Sequence, residues 1–243
     1  MSQNPIIIAL DYSDETQVWE LLTKFDGQSL FVKVGMELYY SSGNSLIHKL
    51  KEKGHDIFLD LKLHDIPTTV GRAMESLARL DVEIINVHAS GGQMMMERAL
   101  EGLEKGTPNG KERPKLVAVT QLTSTSEQVM QEQLRIDGKI EEIVVHYAKN
   151  ARKSGLDGVV SSPLEVPLVK AACGTSFLTV TPGIRSIGDS KDDQQRITTP
   201  KQARKLGSDF IVVGRSITAS PDPLAAFIKI KNDWSEGYET TTS

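Results

Sequence analysis

The stretch Asp60-Leu61-Lys62-Leu63-His64-Asp65-Ile66-Pro67-Thr68-Thr69 sets full charges of both signs at the end of an apolar run, Ile57-Phe58-Leu59. On an extended strand alternate side chains share a face, so Asp60 and Lys62 point together while Leu61 and Leu63 point the other way. Their attachment points then lie only ~6–7 Å apart. A fixed ammonium that also carries a proton can stabilise a developing anion and then protonate it. Asp65 adds a third charge just past the strand end, and Pro67 marks a helix start. Taken alone, the stretch is equally well a solvated strand end with an incidental ion pair, so the rest of the chain has to decide.

Charged and polar residues recur where other apolar runs end. Asp11 follows one, Lys33 lies inside Phe31-Val32-Lys33-Val34-Gly35, and Gln121-Leu122-Thr123, Thr181-Pro182-Gly183-Ile184-Arg185 and Gly214-Arg215 close three more. A charge within an apolar strand is costly unless paired. Lys33 is therefore expected to pair with Asp60, with Lys62 extending the row and Asp11 at the same mouth. The segment between Arg185 and Arg215 reads as an anion site. Gly214 lets backbone approach a ligand, and a guanidinium such as that of Arg215 binds two oxygens at once. The long polar connection 185–199, with Gly188 and Gln194-Gln195-Arg196, is expected to act as a lid. Its Asp189, Asp192 and Asp193 read as solvated.

The elements that must position these residues alternate along the chain. Val- and Ile-rich runs predict strands over 6–11, 31–35, 56–62, 84–89, 116–122, 158–161, 177–182 and 210–214. They are apolar throughout rather than alternating, as for strands buried on both faces. Helical patterns fall at 14–25, 44–53, 67–80, 93–105, 140–154, 163–172, 200–206 and 223–234, several with Pro at the start and Gly just past the end. Eight such units predict a (β/α)₈ TIM barrel, a single α/β domain over residues 1–236, with 237–243 as a frayed tail. The rival, an open doubly wound sheet, would normally carry a GxGxxG turn, and the chain has none. In a barrel the C-terminal strand ends converge on one mouth, which is where the charges sit. The connection 124–137 is expected to hold an extra helix.

Composition narrows the function classes. With 243 residues, 39% hydrophobic and 25% charged, the chain has ample material for a core. A net charge of −4 argues against nucleic-acid or anionic-membrane partners. One cysteine, Cys173, allows no disulfide framework and fits a reducing, cytoplasmic setting; it reads as a buried structural thiol. The N-terminus lacks a signal-peptide pattern, and no apolar run approaches the ~18–20 residues that span a bilayer. Met94-Met95-Met96 reads as packing. His48, His55 and His146 lack metal-ligand spacing, so no metal site is expected. His88 is expected to support the mouth by hydrogen bonding, and His64 shares the parity of Asp60 and Lys62.

With these residues in hand, the chain resembles the orotidine 5′-phosphate decarboxylases of the bacterial type over nearly its whole length. The likeness rests on Asp60-x-Lys62-x-x-Asp65-Ile66-Pro67, supported by Ala9-Leu10-Asp11, Lys33-Val34-Gly35, Gln121-Leu122-Thr123-Ser124, Val180-Thr181-Pro182-Gly183-Ile184-Arg185 and Val213-Gly214-Arg215. The resemblance implies conversion of orotidine 5′-monophosphate to uridine 5′-monophosphate and CO₂, without metal or organic cofactor. It implies a homodimer with shared mouths, in which Lys33, Asp60 and Lys62 form a charge row completed by the partner's Asp65, and the partner's Thr69 helps hold the ribose. By the same resemblance Asp11 and Lys33 meet ribose hydroxyls and Thr123 the pyrimidine. Pro182 is a substrate-binding position, and Arg185, Gln194, Gly214 and Arg215 surround the phosphate. Two rivals remain: a metal-dependent sibling, which resembles this chain in the third strand but uses a carboxylate where Lys33 stands, and a non-catalytic nucleotide-binding barrel.

Overall fold

Apolar runs of three to eight residues pair side by side in chain order in the computed structural model, which describes residues 4–185 and 198–237. The strands are β1 (Ile6–Leu10), β2 (Phe31–Gly35), β3 (Asp56–Leu63), β4 (Ile84–His88), β5 (Lys115–Val119), β6 (Gly158–Val160), β7 (Leu178–Thr181) and β8 (Phe210–Val213). Every pairing is parallel, and β8 returns to pair with β1, closing the barrel. The ring around it is α1 (Glu15–Leu22), α2 (Met36–Glu52), α3 (Pro67–Leu77), α4 (Gly92–Gly106), α5 (Glu127–Glu132), α6 (Ile140–Lys153), α7 (Val166–Cys173), α8 (Pro200–Lys205), α9 (Arg215–Thr218) and α10 (Pro223–Glu236). The expected (β/α)₈ barrel is the observed one.

Two apolar layers hold it. Outward residues such as Ile6, Ile8, Val32, Leu59 and Ile85 pack against the helices. Inward residues Ile7, Phe31, Phe58, Ile84, Val117, Val180 and Phe210 fill the lumen, with Phe31 and Phe210 edge-on at 5.8 Å. Because strand faces alternate with period two, the residue two places beyond each inward hydrophobe also points inward. That places Ala9 above Ile7, Lys33 above Phe31, Asp60 above Phe58 and Asn86 above Ile84. The barrel thus has an apolar floor and, on three consecutive strands, a polar tier over it.

Several boundaries differ from expectation. The second helix begins at Met36, directly after Gly35, and is broken at Gly43 (φ 64°, ψ −162°). The Ser41-Ser42-Gly43 turn hides this first half in the sequence. β5 stops at Val119, so Gln121-Leu122-Thr123 lies in the loop beyond it. The extra helix expected within 124–137 is α5, capped by Ser126, whose Oγ accepts from Val129 N at 3.1 Å. α9, immediately after Gly214, was not expected. Met95 and Met96 are buried, as expected for packing, but Met94 is 68% exposed and lies outside the core. The tail beyond 237 and residues 186–197 of the lid expected over 185–199, Gln194 among them, lie outside the described residues.

α3 and α4 approach to backbone contact. A Cβ at Gly102 would stand 2.1 Å from the Gly71 carbonyl oxygen, so the helix that follows the Asp65 loop is seated directly on its neighbour. Among the described residues no helix is long and apolar enough to cross a membrane.

Candidate active site

Four charges of alternating sign form a line across the mouth. Asp11 leaves the end of β1, Lys33 rises from β2, and Asp60 and Lys62 come from β3. Lys33 Nζ lies 2.8 Å from Asp11 Oδ1 and 3.4 Å from Asp60 Oδ2. Asp60 Oδ1 lies 2.7 Å from Lys62 Nζ. The expected Lys33–Asp60 pair is present, and the row starts one residue earlier than expected, at Asp11. Each charge steadies the next. Burial works against the Lys33 ammonium, yet Asp60 and Asp11 together hold its pKa above the ordinary lysine value. Burial also disfavours the Asp60 carboxylate. Lys33 and Lys62, with hydrogen bonds from Lys62 and Asn86, overcome that and keep its pKa below the usual range.

The strand carrying the row is not regular. Lys62 sits in the left-handed region at φ 53°, which costs about 1–2 kcal/mol for a residue with a Cβ. The β3–β4 register shifts here, from Leu59↔Ile85 to Leu63↔Val87. Simple alternation put Asp60 and Lys62 on one face; the structure joins them at 2.7 Å across the bulge. Asn86, fully buried on β4, accepts from Lys62 N at 2.7 Å and donates Nδ2–H to Asp60 Oδ1 at 2.6 Å. The sequence reading passed over Asn86. Its signal was there: a lone amide inside Ile84-Ile85-Asn86-Val87 needs a partner as much as Lys33 does.

Beside the row opens a cleft of ≈ 270 Å³. Its floor is Ala9, Phe58, Val119, Val160 and Val212, and Asp11, Lys33, Asp60 and Lys62 form one wall. Gln121, Thr123, Pro182, Gly183, Arg185, Gly214 and Arg215 also line it, so strands five, seven and eight each send sequence-expected residues to the same cavity. Arg185 is buried, and its Nη1 donates to the Ile184 carbonyl at 3.0 Å. Two guanidinium-bearing residues, Arg185 and Arg215, therefore line the same cleft as the row. That arrangement can hold an anion at one end of a ligand and offer alternating charges to the other.

Asp65 and Thr69 are exposed. Asp65 Oδ1 accepts from Ile66 N at 2.6 Å, and among the described residues Asp65 makes no ion pair with Lys62 of the same chain. His64 and His88 face each other with ring centroids 5.7 Å apart. Burial, then His64 and Lys62, lower the His88 pKa, so this imidazole is held neutral near the mouth. Among the described residues no group of three or more His, Cys, Asp or Glu is set to hold a metal ion. Cys173 is buried and its thiol pKa is raised by that burial, in keeping with a structural thiol.

Comparison with known proteins places this geometry among relatives. Residues 4–230 match the model of the orotidine 5′-phosphate decarboxylase / HUMPS family. An orotidine 5′-phosphate decarboxylase of Geobacillus sp. (strain WCH70) is 60% identical over 231 residues, covering 95% of this chain and 97% of that protein. One of Bacillus mycoides (strain KBAB4) is 58% identical over 234 residues, covering 96% and 98%. The crystal structure of orotidine 5′-phosphate decarboxylase from Lactobacillus acidophilus superposes with a TM-score of 0.86 at 45% identity, covering 96% of this chain and 99% of that one.

Proposed function

The chain belongs to the orotidine 5′-phosphate decarboxylase / HUMPS family, and from that premise we propose how its charged row works. The enzyme is an orotidine 5′-phosphate decarboxylase, yielding uridine 5′-monophosphate and CO₂ in pyrimidine synthesis. When the C6–carboxylate bond breaks, its electron pair stays in the plane of the ring, where the π system cannot delocalise it. The Lys62 ammonium stabilises that pair by its fixed charge and then transfers a proton to C6. Asp60 lies against the departing carboxylate, whose negative charge is relieved as neutral CO₂ forms. Lys33 holds Asp60 in place and, with Asp11, meets ribose hydroxyls. Thr123 and Pro182 line the base side. Arg185, Gly214 and Arg215, with Gln194, take the phosphate, whose binding energy orders the row for the chemical step. The observation that carries this reading is the line Asp11–Lys33–Asp60–Lys62 at 2.8, 3.4 and 2.7 Å, lining one cleft together with Arg185 and Arg215.

The same reading has two chains sharing each mouth, Asp65 and Thr69 reaching the partner's site. Support comes from the apolar side chains left exposed on the segments leaving β2, β3 and β4: Met36, Tyr40, Ile66 and Met94. Exposed apolar side chains on three consecutive segments, Ile66 directly after Asp65, suit a second copy of this chain. The reading needs no metal, because Lys33 and Lys62 already supply cations on both sides of Asp60, where a divalent ion would be repelled. The work is proposed to take place in the cytoplasm. The deciding assay adds orotidine 5′-monophosphate to the purified protein with excess chelator and follows loss of ultraviolet absorbance and appearance of uridine 5′-monophosphate. Full turnover is expected. Activity that vanishes with chelator and returns with magnesium would favour the metal-dependent sibling, and binding without turnover would leave a nucleotide-binding barrel.

A further inference from the structure

We propose that Asn86 is a positioning residue for Lys62, holding the backbone turn that aims its ammonium into the cleft; the proposal rests on the decarboxylase reading above. Between Leu59↔Ile85 and Leu63↔Val87, β3 advances four residues while β4 advances two. Residues 60–62 therefore leave the ladder with β4, although Asp60 stays in register with Gly35 of β2, and a bulge of this kind deprives backbone groups of their strand partners. The Lys62 N–H regains one from a side chain, Asn86 Oδ1, at 2.7 Å. The nitrogen end of the same amide donates to Asp60 Oδ1 at 2.6 Å, and that oxygen also accepts from Lys62 Nζ at 2.7 Å. A ring closes: Lys62 backbone, Asn86 amide, Asp60 carboxylate, Lys62 ammonium.

The chemistry of the ring selects the residue. The position must accept from an N–H and donate to a carboxylate, which a side-chain amide does while neutral. Asn86 is buried to 0% exposure, in an otherwise apolar strand, and does not line the cleft, so it acts on substrate only through Lys62 and Asp60. Lys62 at φ 53° holds a conformation it would leave if released. Relaxation toward the extended region turns its Cα–Cβ bond and carries the ammonium off line.

The test compares full-length parent, Asn86→Ala and Asn86→Asp, each checked for folding by circular dichroism. It measures kcat and KM for orotidine 5′-monophosphate and, by calorimetry, the affinity for uridine 5′-monophosphate. Asn86→Ala is expected to lower kcat about 100-fold, the scale for a misplaced reacting group, with KM and product affinity within about threefold. Asn86→Asp keeps the shape. Ionised, it opposes the Asp60 carboxylate; protonated, it again offers a donor and an acceptor. Its kcat relative to the parent at the same pH is expected to rise at least about fivefold from about pH 8.5 to 6. The other titrating groups near position 86 are Asp60 and Lys62 on β3, Lys33 on β2 behind Asp60, His88 on β4 and His64 facing it; β5 presents Val117. All are present in both proteins.

A kcat for Asn86→Ala within about threefold of the parent, or product affinity lost in proportion to kcat, overturns the proposal. If the alanine variant does not fold, the aspartate variant decides: a ratio that rises at low pH supports the proposal and a flat one overturns it. A parent chain that does not decarboxylate orotidine 5′-monophosphate would sink the functional reading instead, before any variant is compared.

Discussion

Asp60 and Lys62 meet at 2.7 Å across a backbone that turns left-handed at the lysine, φ 53°. In a straight strand their side chains would merely run parallel, ~6–7 Å apart at the base. The pair spans the bulge, which hands part of the control of β3 to its neighbour β4. The row is therefore a property of four strands together, β1 to β4.

Removing the proposed proton donor should separate chemistry from folding. Lys62→Ala is expected to lower kcat by at least ~10³-fold, in the range seen when a group stabilising a developing charge is lost. Circular dichroism should be unchanged, because Lys62 lies above the apolar floor. Turnover within about tenfold of the parent would remove Lys62 from the mechanism.

Arg215→Ala should act on the phosphate end. Loss of a charge-assisted contact of roughly 1.5–3 kcal/mol should cost ~10- to 150-fold in kcat/KM for orotidine 5′-monophosphate. Orotidine without its phosphate should hardly respond. Equal losses with both substrates would contradict the assignment of this end of the cleft.

A shared mouth predicts complementation. Lys62→Ala and Asp65→Ala chains, each inactive alone, should regain activity when mixed under conditions of subunit exchange. Half of the dimers would be mixed and each would hold one intact mouth, so about a quarter of the parent activity is expected. No recovery despite proven exchange, followed by mass spectrometry of labelled chains, would argue that each mouth is complete within one chain.

The row should also set the pH limits of stability. The Asp60 pKa is depressed below its ordinary 3.8, so its contribution is present above that value and lost as pH falls through the lower, folded pKa. The Lys33 pKa is raised above its ordinary 10.5, so its contribution is complete below that value and lost as pH rises through the higher one. Thermal melts of parent and Asp60→Asn should differ at neutral pH, and the gap should narrow below about pH 3.8. A gap of constant size down to pH 2–3 would mean that Asp60 stays out of the linkage.

Much of this was readable in the chain because barrel strands announce themselves. Ile6 to Leu10 and Phe210 to Val213 are unbroken apolar runs, and such runs have few folds open to them. Lys33 was legible for the complementary reason: a charge in such a run needs a partner. The bulge was not legible, because a left-handed lysine leaves no mark in composition; only the pairing with β4 demands it. Asn86 was overlooked since amides are less conspicuous than charges, although the burial argument applies to both. The first half of α2 was lost at Gly43, where one glycine with φ 64° mimics the end of a loop. α9 is a single turn, too short for any periodicity to reveal.

The stacking of Lys33 over Phe31, Asp60 over Phe58 and Asn86 over Ile84 makes chemistry hostage to register. Slip any one of these strands by a single residue and its polar member faces the helices while an aliphatic one swings into the cleft. A chain that closes its cylinder incorrectly thus cannot become a sloppy catalyst; it is simply silent. The geometry that seals the barrel serves as its own quality control, and assembly errors surface as missing activity rather than as wrong products.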